Sequence, residues 1–361
     1  MHSAIKYSLL NAVNPYHWVT WIRNRAFDTG VLGSCSFGHP VICVGNITVG
    51  GTGKTPHTEY LIKLLKERYR LAVLSRGYGR KSKGYILADS TTQMHQLGDE
   101  PYQILKKFDG IAVAVDEKRV RGIKRLLARK DAPQVILLDD AYQHRYVKAG
   151  MNILLIDYNR PIWRDCVLPI GRMRESMQGV ERADIVIITK CPRTIKENEQ
   201  SEIKRQLTKI KEMPIFFSTM RYGELYPLFP SQASPVPSIE NNSNILLVTG
   251  IAKPEPLKAE LERRGATVQL MQYADHHNFS TAELEDIATA YSHMGKGSII
   301  ITTEKDASRL TSHSSLPHII KNNIYALPIE VEILNNEEYL LNKKISDYVT
   351  ENSRDSIVPE K

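Results

Sequence analysis

The sequence predicts an α/β protein: a parallel sheet flanked by helices, followed by a second, smaller α/β domain. Three observations predict it. From residue 40 onward, short continuous apolar runs alternate with amphipathic helical patterns, as in strands buried on both faces. The first run leads straight into a glycine-rich loop that ends in Gly53-Lys54-Thr55, with a helical pattern after it. A Pro- and Ser-rich interval over 218–244 then breaks the rhythm before it resumes. The 361 residues suit two domains of about 150 residues each.

The first element is residues 1–39. Ile5, Leu9 and Val13 recur at a helical spacing of four, and Trp18, Trp21, Ile22 and Phe27 follow. Lys6, Arg23 and Arg25 face a single acid, Asp28. One or two short basic amphipathic helices are expected here. Such helices either pack as a core pair or lie in a membrane interface, and the spacing leaves both open.

Residues 40–225 form the expected main domain. Its strands are 41–44, 71–74, 111–115, 135–138, 153–156 and 185–188, with helices over 58–68 and 118–129. A linker over 226–244 leads to the smaller domain, 245–335. There, strands at 245–248, 267–270, 298–301 and 325–334 alternate with helices near 255–264 and 280–293. The polar stretch 336–361 reads as a tail that frays toward its end.

The strand–loop–helix around Thr48-Val49-Gly50-Gly51-Thr52-Gly53-Lys54-Thr55 is a phosphate-binding P-loop. Its glycines let successive N–H groups converge on phosphate oxygens, and the helix N-terminus adds partial positive charge. Lys54 reaches the β/γ-phosphates of a nucleoside triphosphate, and the Thr55 hydroxyl holds Mg²⁺. Thr48 stands where the strict pattern has glycine. The fold class is therefore that of a P-loop NTPase-type sheet.

Further segments carry chemistry. The run Val135–Leu138 ends in Asp139 and Asp140, paired carboxylates at a strand's carboxyl end that suit a metal shell. Gln143 and His144 follow, placed to orient water, metal or substrate. Asp99, in Gly98-Asp-Glu-Pro101, is either a helix cap or the base that accepts a hydroxyl proton. Arg76 and Arg174 offer cations to an anionic substrate or transition state. In the smaller domain, His276 and His277 are adjacent, and one of them suits holding a carboxylate. Thr303 and Asp306 suit a helix cap.

Composition excludes some classes. The net charge of +8 favours an anionic partner, but no Lys/Arg block is interleaved with aromatics, so no nucleic-acid partner is expected. Cys35, Cys43, Cys166 and Cys191 form no C-x-x-C pair, which argues against a zinc site or a disulfide framework and for a reducing compartment. No run of about 18 apolar residues is present, so no membrane span is expected. The weak apolar stretch from Tyr7 to Val13 ends at Asn14-Pro15 with no small-residue cleavage site after it, so no signal peptide is expected. Thr189-Lys190-Cys191-Pro192 lacks the aspartate of guanine-specific GTPases. Val49 replaces the signature lysine of dimeric partition ATPases. No obligate protein partner is evident. A regulatory ATPase coupling hydrolysis to partner binding is the alternative class.

Taken together, Val44–Pro56, Ser75–Gly79, Gly98–Pro101, Asp139–His144, Leu168–Gly171 and Asp275-His276 resemble the tetraacyldisaccharide 4′-kinase family. The resemblance runs from about residue 10 to about residue 310. It implies transfer of the γ-phosphate of ATP, with Mg²⁺, to the 4′-hydroxyl of a tetraacyldisaccharide 1-phosphate in lipid A biosynthesis. It makes Asp99 the base and His276 the histidine paired with it, beside Lys54. Asp139, Asp140 and Glu175 join Thr55 at the metal. Asn46, Arg76, Arg121, Gln143, His144 and Arg174 become substrate contacts. An anionic glycolipid substrate implies peripheral docking on a membrane surface, the cytoplasmic face of the inner membrane, through the N-terminal helices. Ala141 departs from the family's Asp-Asp-Gly and questions a positive-φ turn there.

Overall fold

The computed structural model describes residues 13–230, 239, 243–251, 253–275, 277–295, 297–311, 313 and 315–353. Ile5, Lys6, Leu9 and the expected catalytic His276 lie outside the described residues. Two sheets are present. The larger contains parallel strands β1 (Val41–Gly45), β2 (Leu71–Ser75), β4 (Ala112–Val115), β5 (Val135–Asp139), β6 (Met151–Asp157), β7 (Ile185–Thr189) and β8 (Ile215–Tyr222). Two antiparallel strands, β3 (Ile86–Leu87) and β14 (Ile329–Ile333), close its edges. The order is β14-β8-β7-β6-β1-β5-β2-β4-β3.

Strand β1 lies between β5 and β6, with Val44 beside Asp139. The P-loop and the paired carboxylates therefore leave the sheet side by side at its carboxyl edge, where ligands of such sheets bind. Alternation along β1 serves two cores. Val41 and Cys43 pack toward Ile123 and Leu126 of α5 (Arg119–Leu127). Ile42 and Val44 pack toward Leu61, Ile62 and Leu65 of α2 (Lys54–Leu65) and Ile104 of α4 (Asp99–Lys107).

The smaller sheet holds β9 (Tyr226–Pro227), β10 (Asn244–Thr249), β11 (Thr267–Gln272), β12 (Ile299–Thr303) and β13 (Ile324–Leu327), in the order β11-β10-β12-β13-β9. Helices α7 (Glu255–Arg263), α8 (Thr281–Ser292) and α10 (His318–Asn323) cover it. Helix α9 (Glu304–Thr311) runs from the end of β12 toward the main domain, beside α4.

Three expectations change. The strand expected over 325–334 is two strands in different sheets. Pro328 separates them, and its missing N–H cannot continue a ladder. Strand β14 then returns to the main sheet and pairs with β8. The expected polar tail instead begins with α11 (Glu338–Ser353), whose Leu341, Ile345 and Val349 are fully buried against that sheet. Spacing of four hides this stripe in a polar composition. The expected linker also contains β9, which pairs with β13.

Helix α1 (Pro15–Asp28) bears on the described part of the N-terminal segment. Phe27 is its sole buried residue, while Trp18 is 48%, Val19 64%, Trp21 45% and Ile22 59% exposed. The core-pair reading does not hold for residues 13–28. Polar contacts tether the helix instead. Asn14 caps it and donates to the carbonyls of Val167 (3.0 Å) and Leu168 (2.8 Å). Arg23 donates to the Gln143 carbonyl at 2.9 Å. No helix among the described residues is long and apolar enough to cross a membrane.

Candidate active site

The loop between β1 and α2 is shaped by glycine. Gly50 and Gly53 have φ of +102° and +84°, which side-chain-bearing residues rarely adopt. A Cβ on Gly53 would also lie 2.5 Å from the Met220 Cε. Polar contacts brace the loop from behind. Thr189 Oγ1 donates to the Thr52 carbonyl at 2.9 Å, and Lys190 Nζ donates to that of Gly51. His57 Nδ1 lies 2.7 Å from the Gly53 carbonyl and Nε2 3.0 Å from Ser218 Oγ. A carbonyl only accepts, so Nδ1 carries the proton. Burial pushes this imidazole down to about 4.

Asn46 is not placed as a substrate contact. It is fully buried and donates to Thr52 Oγ1 at 2.9 Å, so it staples the loop internally. Its Oδ1 has no partner among the described residues.

At the end of β5, the two carboxylates differ. Asp139 is buried and accepts from Thr58 Oγ1 at 3.0 Å. Burial, then Glu100 and Asp140, push its carboxyl up to about 7. Asp140 turns outward between Lys54 Nζ and Arg174 Nη1, each 3.6 Å from one of its oxygens. The positive-φ turn that Ala141 put in question is present one residue earlier, at Asp140 with φ +46°. Aspartate tolerates that region. Ala141 is buried in the core, and its departure from glycine costs the turn nothing.

Glu175 is buried and engaged by two donors. Its oxygens accept from Asn24 Nδ2 and Arg182 Nη2, each at 2.6 Å, which ties α1 to the segment after β6. Arg121 is likewise committed elsewhere. Its Nε (2.9 Å) and Nη2 (2.7 Å) grip the Asp116 carboxylate.

Beside Asp140 lies a cavity of about 530 Å³ lined by four arginines, Arg23, Arg76, Arg119 and Arg174, by Gln143 and His144, and by the carboxylates Glu100 and Glu117. Burial, followed by the arginines, pushes His144 down to about 4, so the imidazole is neutral at physiological pH. Arg119 is the residue sequence reasoning missed. It is 3% exposed, and its Nε has no partner among the described residues. Burial and then Arg76 lower its pKa to about 10, which leaves it charged at neutral pH. The signal was present: Arg119, Ile123 and Leu126 share one inward face of α5, while Arg121 does not.

Asp99 is the first residue of α4. Gly98 precedes it at φ +89°, and a Cβ there would meet the Tyr78 carbonyl oxygen at 2.5 Å. The loop after β2 and the start of α4 therefore touch through their backbones. Arg309 of α9 donates from Nη2 to Asp99 Oδ2. Of the two histidines, the described His277 is engaged elsewhere, with Nε2 3.0 Å from both Glu283 oxygens and its ring stacked on Tyr273.

Among the described residues, no group of three or more His, Cys, Asp or Glu is arranged to hold a metal ion. The chemistry of Asp139 and Asp140 fits a cation that takes few protein ligands and keeps its waters, as Mg²⁺ does. A cation there would offset the burial, and the added repulsion from Glu100 and Asp140, that raise the Asp139 carboxyl.

Comparisons with known proteins agree on one family. The model of the family described as Tetraacyldisaccharide-1-P 4′-kinase matches residues 5–348. The chain is 48% identical to the tetraacyldisaccharide 4′-kinase of Bacteroides fragilis (strain YCH46), over 97% of this chain and 98% of that protein. It is 45% identical to the enzyme of that name from Flavobacterium johnsoniae, over 93% and 95%. Its fold is similar to the crystal structure of LpxK from Aquifex aeolicus in complex with ATP. The TM-score is 0.70 and the identity 28%, over 96% of this chain and 99% of that one.

Proposed function

The chain belongs to the tetraacyldisaccharide-1-phosphate 4′-kinase family, and from that premise we propose how its residues perform the transfer and where it takes place. The protein is a phosphotransferase of lipid A biosynthesis that uses ATP and acts on the tetraacyldisaccharide precursor. The alternative of a regulatory ATPase is not favoured.

The P-loop N–H groups and Lys54 hold the β- and γ-phosphates of ATP. Thr55, with Asp139 and Asp140, would hold Mg²⁺, which when bound neutralises charge on the phosphate oxygens. The acceptor hydroxyl forms its bond to the γ-phosphorus as the bond to ADP breaks. Asp99 takes the hydroxyl proton. Arg174 and Lys54, flanking Asp140, lie where transferring charge needs stabilisation. The basic cavity lined by Arg23, Arg76 and Arg119 suits the anionic sugar headgroup.

One observation carries this reading. Arg23 of α1 lines the cavity beside Asp140, while Trp18, Trp21 and Ile22 of the same helix face outward. A headgroup bound in the cavity thus lies next to an apolar surface able to enter a bilayer interface. The enzyme accordingly docks peripherally, on the cytoplasmic face of the inner membrane, where ATP is present.

The test is ATP-dependent phosphorylation of the disaccharide precursor by Lys54→Ala and Asp99→Ala. Each is expected to lose about 100-fold or more in turnover. Full turnover by Asp99→Ala would remove the base assignment. Activity that does not depend on Mg²⁺ after chelation would remove the metal.

A further inference from the structure

We propose that Arg309, on the smaller domain, is a positioning residue for phosphoryl transfer: its guanidinium holds Asp99 in its working orientation. The inference deepens the reading of Asp99 as base and rests on it. Arg309 is 3% exposed and forks between two carboxylates. Its Nη2 donates to Asp99 Oδ2, across 210 residues of sequence, and its Nη1 donates to Asp306 Oδ1 at 3.2 Å.

Asp306 is the fixed end of this device. It is fully buried, and its Oδ2 accepts from Thr303 Oγ1 (2.7 Å), Thr249 Oγ1 (3.1 Å) and the Gly250 N–H (3.0 Å). Those donors come from the carboxyl ends of β12 and β10, two adjacent interior strands of the smaller sheet. Gly250 sits tightly in the same network, since a Cβ there would lie 2.9 Å from the Ala274 carbonyl oxygen. The Thr303–Asp306 pair also caps α9, as the sequence suggests, but the cap explains only one of the contacts. The remainder fixes where Arg309 points.

The far end of the α4–α9 pair is fastened as well. Lys107, at the end of α4, pairs with Glu304 at the start of α9. Asp99 and Lys107 are the first and last residues of α4, so both ends of the helix carrying the base are tied to the smaller domain. An arginine suits this role because its planar fork reaches two carboxylates at once, which a lysine ammonium on one stem does not.

Arg309→Lys keeps the charge and the buried pair with Asp306 but loses the second prong. It is expected to fold with an unchanged melting temperature and to lose about tenfold in kcat, with KM for ATP and for the lipid acceptor within twofold of wild type, since small misplacements of a catalytic group act on turnover. In an Asp99→Asn background the same substitution should cost nothing further, because a residue acting through Asp99 has nothing left to position. Wild-type kcat in Arg309→Lys overturns the inference. So does an equal fold-loss in both backgrounds, which marks a merely structural role. Wild-type turnover in Asp99→Asn alone overturns the base reading, and the inference with it.

Discussion

Glycine and histidine at single positions carry as much of the site as the charged residues do. Gly98 lets the start of α4 touch the backbone of the loop after β2, and that contact sets where Asp99 emerges. Gly98→Ala is expected to cost about 1–3 kcal/mol in stability from the positive φ and the backbone clash together. It should also lower kcat; urea melts and steady-state rates check both. His57 makes a different prediction. Its folded pKa lies below the unfolded value, so the unfolded chain takes up the proton first. The stability from keeping it neutral is complete above pH 6.5 and is lost as pH falls toward 4. The loss reaches about 3 kcal/mol at the lower end. His57→Gln should flatten the pH dependence of the urea midpoint between pH 7 and 5; an unchanged slope would assign it to other groups. Neither role was legible in sequence, because positive φ and burial are properties of packing.

At the scale of elements, α1 and α4 matter most. Helix α1 was legible as an amphipathic, tryptophan-bearing segment, but its direction was not. An apolar stripe turns inward or outward according to what the rest of the chain already covers, and here the polar anchors Asn14, Arg23 and Asn24 face the protein. Trp18→Glu/Trp21→Glu should abolish flotation with anionic phosphatidylglycerol vesicles while leaving the melting temperature and ATP affinity unchanged. Equal flotation would move the membrane contact to another surface. Helix α4 was partly legible. The Gly-Asp-Glu-Pro run marks a helix start by its own chemistry, and Asp99 does begin one. Its tie to Arg309 joins residues far apart in sequence, and no local pattern signals it.

At the scale of the whole molecule, Lys107 joins three elements. It pairs with Glu59 of the P-loop helix α2 and with Glu304 of α9 in the smaller domain, from its own place on α4. Burial alone would lower its pKa, but the two carboxylates outweigh burial and raise it. Glu59 is in turn pushed up to about 7 by burial and then by Glu304. Lys107→Met would leave two buried carboxylates facing each other. It should destabilise the fold by about 3–5 kcal/mol, read as a lower urea midpoint. A change below about 1 kcal/mol would show that the pair relaxes into solvent.

By itself the sequence determined the sheet class, the P-loop and the strand-end carboxylates, because each is written in contiguous residues whose period or glycine content has a local physical cause. It also carried the family, through motifs kept in order along the chain. The tertiary structure alone decided which side chains those motifs meet. It replaced Arg121 by Arg119 in the basic cavity, turned Asn46 and Glu175 into internal braces, and returned β14 and α11 to the main sheet. It also brought Arg309 to Asp99. These outcomes depend on burial and on contacts between distant segments, which exist only once the two sheets have packed.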